Sequence, residues 1–277
     1  MIPESMLIKG TPYYQNQVNN LTEAYILDQV RNNTLVWSKL DWENNYIVVT
    51  RELLMLPSIL VVKLSELELV DLQNEANSVA LVRHLTVADN KGHFFKRRAC
   101  LSEEAAVQIK RAISQAAPHI VIGYTPDNQI AYKKRHMQEI EYNLRASIQA
   151  RYNGNAYTSG PVREEILFSS TDINSSTGIC VTESKLVVKK CLTVAREDVE
   201  WFFMYAVKHY EIVNVLLRDG RLCRYRIYPS QLGRAYDFRV METLVGALLP
   251  NAATGYSDIS CKWWALRHGN VPSLTIM

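Results

Sequence analysis

Nowhere in the 277 residues do 18 apolar residues run together, so no segment is expected to cross a membrane as a helix. The most apolar stretch, RELLMLPSILVVKL, is cut by Pro57 and soon ends; rich in Leu, Val and Ile, it reads as buried strands. The opening MIPESMLIKGTPYYQNQ has no apolar h-region and is not expected to be a signal peptide. Five cysteines occur, Cys100, Cys180, Cys191, Cys223 and Cys261, an odd number with no C-x-x-C spacing. That argues against a disulfide framework or a zinc knuckle, and favours free, mostly buried thiols in a reducing cytoplasm.

Charge of one sign is also missing. Lys and Arg total 31 against 28 Asp and Glu, a net charge of +3, which provides no broad cationic face for nucleic acid. The six histidines never form H-x-x-x-H or H-E-x-x-H, so metal binding lacks its usual spacing. There is no G-x-G-x-x-G, no P-loop and no G-x-S-x-G. The stretches TSG and SSTG have no following helix to present a phosphate to. No catalytic residue, cofactor or metal is implied.

What the chain does have is the balance of a folded protein, 48% apolar and 21% charged, at a length that allows one large domain or two ordinary ones. It also has a long-period repeat. APHIVIGYTPD at 117–127 returns as LPNAATGYSD at 249–258, with Gly123-Tyr124 and Gly255-Tyr256 lying 255 − 123 = 132 residues apart. At that offset Pro118 falls on Pro250, Arg135-His136 on Arg267-His268 and Val49-Thr50 on Val181-Thr182. Glu66, Leu67, Glu68 and Leu69 fall on Asp198, Val199, Glu200 and Trp201, keeping the charged-apolar order. The turns DNKG and RDG align Gly92 with Gly220 at an offset of 128, a loop-length change that costs little. A period this long excludes a solenoid and points to two tandem copies of one fold.

Within each copy strand signals come first. TLVWSKL, NYIVVT, ILVVKL, LELVDL, VALVRHLTVA and HFFKRR are short β-branched or aromatic runs; GICVTE, KLVVKK, LTVA, VEWFFMYAV, YEIVNVLLR and RLCRYRIY follow in the same order. A helix closes each copy. Ala106, Ile109, Ile113 and Ala116 share one helical face, and at +132 become Phe238, Met241, Val245 and Leu248. Ser102 is placed to cap the first helix, with Glu103 and Glu104 at the positive end of its dipole; Pro118 and Pro250 stop the two helices. A short extended piece, HIVI or NAAT, then leads to Gly-Tyr, and Thr125-Pro126 or Ser257 starts another helix. The tyrosines, Tyr124 and Tyr256, read as corner fillers.

Six or seven antiparallel strands followed by one helix is the order of a pleckstrin-homology-like (PH-like) bent barrel. VVTRELLML and LPSILVVKLSELELVD resemble the opening strands of bacterial PH-like domains, and AAPHIVIGYTPD with LLPNAATGYSD resembles the tail of an uncharacterised bacterial family. The resemblance implies an α+β fold of two tandem PH-like barrels joined by a long helix, and no activity. The expected division is 1–150 for the first repeat with its N-terminal segment and trailing helix, 151–161 for a linker, and 162–277 for the second repeat. The trailing helix carries a stripe of Ile130, Met137, Ile140, Leu144 and Ile148, with Lys133, Lys134 and Arg135 off it.

Candidate interaction residues are the basic and aromatic clusters Lys133, Lys134, Arg135 and His136, and Trp263, Trp264, Arg267 and His268. One tryptophan of the pair is expected to pack on its barrel, and the other, if exposed, would mark a contact surface. FKRR at 95–98 and VVKK at 187–190 add cations. Such clusters suit an acidic partner or an anionic lipid surface; a solvated face with snorkelling lysines produces the same pattern. Three readings follow: a non-enzymatic protein-interaction or scaffold module acting on a partner or on its own copy, a peripheral membrane-surface binder, and an enzyme with a site between the repeats. The first is preferred, in a cytoplasmic setting.

Overall fold

The computed structural model describes residues 32–40, 46–56, 60–74, 82–123, 125–151, 165–170, 178–188, 191–207, 210–228, 238–270 and 272. The chain is α+β and divides into two compact units, Met1–Tyr124 and Thr125–Met277.

In the first unit, β1 (Leu35–Leu40), β2 (Tyr46–Thr50), β3 (Leu53–Leu56) and β4 (Leu60–Lys63) form an antiparallel sheet in chain order. The turn between β2 and β3 is tied by Thr50, whose Oγ1 accepts from the Leu53 amide at 2.9 Å. A 3-10 turn, Leu64–Glu66, leads into β5 (Leu67–Asn74), followed by β6 (Val82–Asp89), β7 (Phe94–Cys100), the helix α1 (Glu103–Ala116) and the short β8 (Val121–Ile122). Their sheet has the order β7-β6-β5-β8, with β8 parallel to β5. Ser102 caps α1 by accepting from the Ala105 amide, and the helix ends at Ala117, which leaves the helical region ahead of Pro118. The core draws on both sheets and the helix: Val49, Leu54 and Val62 from one, Val70, Leu72, Leu85 and Val87 from the other, and Ala106, Ile109 and Ile113 from α1.

The second unit opens with α2 (Pro126–Arg151). Then come β9 (Ile166–Ser169), β10 (Ile179–Thr182), β11 (Lys185–Val188), β12 (Leu192–Ala195), a 3-10 turn at Arg196–Asp198, β13 (Val199–Val207), β14 (Tyr210–Leu217) and β15 (Leu222–Ile227). The helix α3 (Phe238–Ala247), the short β16 (Ala253–Thr254) and α4 (Asp258–His268) complete it. The sheet orders are β12-β11-β10-β9 and β15-β14-β13-β16.

Hydrogen bonds recur between the units at the 132-residue offset. Leu69 pairs with Val121 and Val70 with Ile122; Trp201 pairs with Ala253 and Phe202 with Thr254. The Gly123 amide donates to Val70 O at 2.9 Å and the Gly255 amide to Phe202 O at 3.0 Å. Both glycines sit at positive φ, 119° and 86°, which a side chain resists. Bulges interrupt β5 between Leu67 and Leu69 and β13 between Val199 and Trp201. The Leu64 amide reaches Glu52 O, and the Arg196 amide reaches Ser184 O. After the turns the offset becomes 128: Asp89 to His93 O in one unit, Leu217 to Arg221 O in the other. Met241, Val245 and Leu248 are buried as Ile109, Ile113 and their neighbours are.

Several features differ from the sequence reading. The first strand of the second unit, β9, was not expected; all four of its residues are buried, so no alternation marks it. Among the described residues the strands stay in separate four-stranded sheets and do not close into a barrel. The long helix, grouped by sequence with residues 1–150, packs on β9, β16 and α4 of the second unit. It is non-helical at His136, φ −114° and ψ 20°. That is the position equivalent to His268, where α4 ends, so α2 is the shorter helix of the repeat continued by an extension. Of the four cysteines whose side chains are described only Cys180 is buried; Cys191 is exposed, and Cys223 and Cys261 are intermediate, while the side chain of Cys100 lies outside the described residues. Tyr124, His209 and residues 152–164, with most of the expected linker, lie outside the described residues, as do the side chains of Phe238 and Ile148.

Candidate interaction surface

α4 is positioned by its aromatic face. Ser257 caps it, accepting from the Ser260 amide at 3.1 Å, and Gly269 ends it in the left-handed region. One turn apart, Trp264 and His268 stack at 3.8 Å. Trp264 lies 5.9 Å from Trp201 of β13, and Tyr256 stacks on Trp201 at 5.8 Å. Trp263 is 7% exposed and Trp264 1%, so the condition for a contact surface, one exposed indole, is not met, and both candidate residues belong to the packing of the unit. Each indole N–H also has a partner, Asp127 for Trp263 at 3.0 Å and Asn270 for Trp264 at 3.2 Å.

The cations of this helix are engaged as well. Arg267 lies over the Trp263 ring at 4.2 Å, donates to Asp127 at 3.2 Å and stands 3.5 Å from Glu200. His268 Nε2 is 3.0 Å from the same Glu200 carboxylate. Burial and a hydrogen bond with Cys261 push the Tyr256 phenol up to about 12. These groups pin α4 to its sheet. The large exposed apolar side chains of α4 are Ile259 and, at 88%, Leu266.

The first cluster is split by the helix that carries it. Lys134 and Arg135 are exposed, and His136 is half-buried against Tyr132 at 4.8 Å. Lys133, expected off the buried stripe, is fully buried. Its Nζ donates to Gly246 O at 2.9 Å and to Ala252 O. One turn earlier, Gln129 Oε1 accepts from the Thr254 amide at 2.7 Å. The reason is the short strand β16. The Thr254 amide of β16, the Ala252 carbonyl just ahead of it and the Gly246 carbonyl of α3 are main-chain groups that α2 satisfies with Gln129 and Lys133, and an apolar stripe could not do so. The sequence signal was present: Gln129 and Lys133 are four apart, in line with Tyr132, Ile140 and Leu144. Burial lowers the Lys133 ammonium to about 7. Lys133 is thus removed from any cationic surface. Close by, Arg196 donates to Leu248 O at 3.2 Å and pairs with Glu141 of α2.

A cleft of about 560 Å³ lies elsewhere in the second unit, between Thr193–Ala195 of β12 and the turn joining β14 to β15. In that turn Arg221 Nε pairs with Asp219 at 2.7 Å; the Arg221 main-chain amide and side chain hold the Asp219 carboxyl below its ordinary range. Among the described residues no group of three or more His, Cys, Asp or Glu side chains could hold a metal ion, and no helix is long and apolar enough to cross a membrane.

No protein family matches this chain, and no curated protein is similar to it in sequence.

Proposed function

We propose that this chain is a non-enzymatic interaction module built from two PH-like units and that it presents its surface to a protein partner or to a second copy of itself. Four antiparallel strands, then three more, then a helix, in each unit, support the PH-like part of the reading. The observation that carries the functional part is the use of the chain's reactive-looking groups. His268, Arg267, Trp263, Trp264 and Lys133 all serve internal contacts. Strand edges, turns, isolated apolar side chains such as Leu266 and the exposed Lys134 and Arg135 remain accessible, which suits recognition.

Native mass measurement over a concentration series, with capture from a lysate against an empty matrix, tests this. A dimer or a stoichiometric partner is expected; a monomer that retains nothing refutes the reading. Sedimentation with vesicles containing anionic lipid separates out the membrane alternative, and the chain is expected to stay in the supernatant.

A further inference from the structure

β12 and β15 are outer strands of the two sheets of the second unit. Cys191 ends the turn that joins β11 to β12, where its amide donates to Val188 O at 3.0 Å. Cys223 and Tyr225 stand two apart on β15, opposite Val215 and Val213 of β14, so their side chains share one face of the strand. The Tyr225 hydroxyl crosses to the other sheet and donates to Cys191 O at 3.3 Å.

One phenol oxygen therefore has a cysteine on either side. Burial raises the Tyr225 phenol above its ordinary range. The Cys223 sulfur raises it further, by its charge when ionised and by a hydrogen bond, and the Cys191 sulfur adds to the same effect. With ordinary bond lengths the Cys191 Cα stands within about 6 Å of that oxygen. The two thiols differ in access, Cys191 being exposed and Cys223 half-buried. The other described thiols are placed differently: Cys180 is buried, and Cys261 is hydrogen-bonded to the Tyr256 phenol.

We propose that Cys191 and Cys223 form a thiol modification site that a hydroperoxide converts to a disulfide. The exposed Cys191 sulfur attacks the O–O bond, which breaks; the sulfur keeps one oxygen as a sulfenic acid, and the other leaves as an alcohol, or as water when the oxidant is hydrogen peroxide. The Cys223 sulfur then attacks that of Cys191, the S–O bond breaks, water leaves and the S–S bond forms. The two thiols are oxidised by two electrons in all, the peroxide is reduced by the same two, and both thiol protons leave on the released oxygens. The bond requires Cβ atoms about 4 Å apart. The exposed turn is the side that closes, since Cys223 is fixed in the register of β15. The link joins the two sheets across 223 − 191 = 32 positions, and a crosslink of that span favours the folded state by restricting the unfolded one. It is independent of the interaction-module reading, which stands or falls without it.

The test treats the full chain with an equivalent of hydrogen peroxide, alkylates the remaining thiols and maps the digest by mass. The Cys191–Cys223 peptide pair is expected to dominate all cross-linked pairs, with alkylation of both residues falling about tenfold and returning after dithiothreitol. In the Cys223→Ser chain the Cys191 sulfenic acid has lost its second thiol and is expected to be trapped by dimedone; in the Cys191→Ser chain Cys223 is expected to stay reduced. Should either variant melt early, the map of the parent chain decides alone. A parent chain that yields no Cys191–Cys223 link, or that links Cys191 only to a second chain, overturns the proposal. The same link formed to the same extent in urea also overturns it, because the folded arrangement would then contribute nothing.

Discussion

At the scale of single residues, polar chemistry does structural work. Lys133 is the clearest case. The unfolded chain keeps its proton up to the ordinary 10.5, whereas the folded chain releases it near 7, so the unfolded state binds more protons between those values and stability rises with pH there. Urea unfolding of the parent and of Lys133→Met, at pH 7 and pH 10, should show the parent gaining about 1 to 4 kcal/mol relative to the variant. A flat or falling difference contradicts the burial of that ammonium. Gly246 makes a second point. A Cβ there would overlap the Thr254 side chain, so Gly246→Ala is expected to lose about 1 to 3 kcal/mol by thermal unfolding, and Thr254→Ala in the same chain to restore part of it. Equivalent positions have also diverged in charge. Lys110 meets the buried Asp71 carboxylate at 3.2 Å, while its counterpart Glu242 accepts from the Met204 amide at 2.8 Å. Position was kept, and each charge found a partner of its own.

At the scale of elements, α4 is held by aromatic packing and α2 by polar recognition. Trp264→Ala removes a fully buried indole facing Trp201, and should cost about 3 to 5 kcal/mol and speed amide exchange in Asp258–His268 before the rest of the unit. Exchange that quickens everywhere at once would contradict local docking by that ring. Much of this level was legible in the sequence. The helix stop at Pro118, the Ser102 cap and the faces of α1 and α3 follow from local rules. HIVI and NAAT differ in apolarity, yet β8 and β16 pair in the same register, because backbone groups and not side chains decide a two-residue strand. What was not legible depended on tertiary partners. β9 is buried on both faces and lacks a period; Lys133 looked like a surface lysine because its two carbonyl acceptors lie more than 110 residues further along the chain. The tryptophan pair could not be divided into inner and outer from spacing alone, and both proved buried.

At the scale of the whole molecule, one chain carries the same strand order, bulges and closing contacts twice, and keeps its conspicuous side chains for holding each unit together. The interaction reading depends on that recurrence, since it leaves edges and turns as the surfaces that could differ in use. Amide hydrogen exchange on the intact chain tests it most directly. The amides of Gly123 and Gly255, and of Leu64 and Arg196, donate to equivalent carbonyls 132 residues apart. Each pair should be protected together, with factors well above those of free peptide. If one member of each pair exchanges at the free-peptide rate while the other is protected, the two units are not copies of one fold.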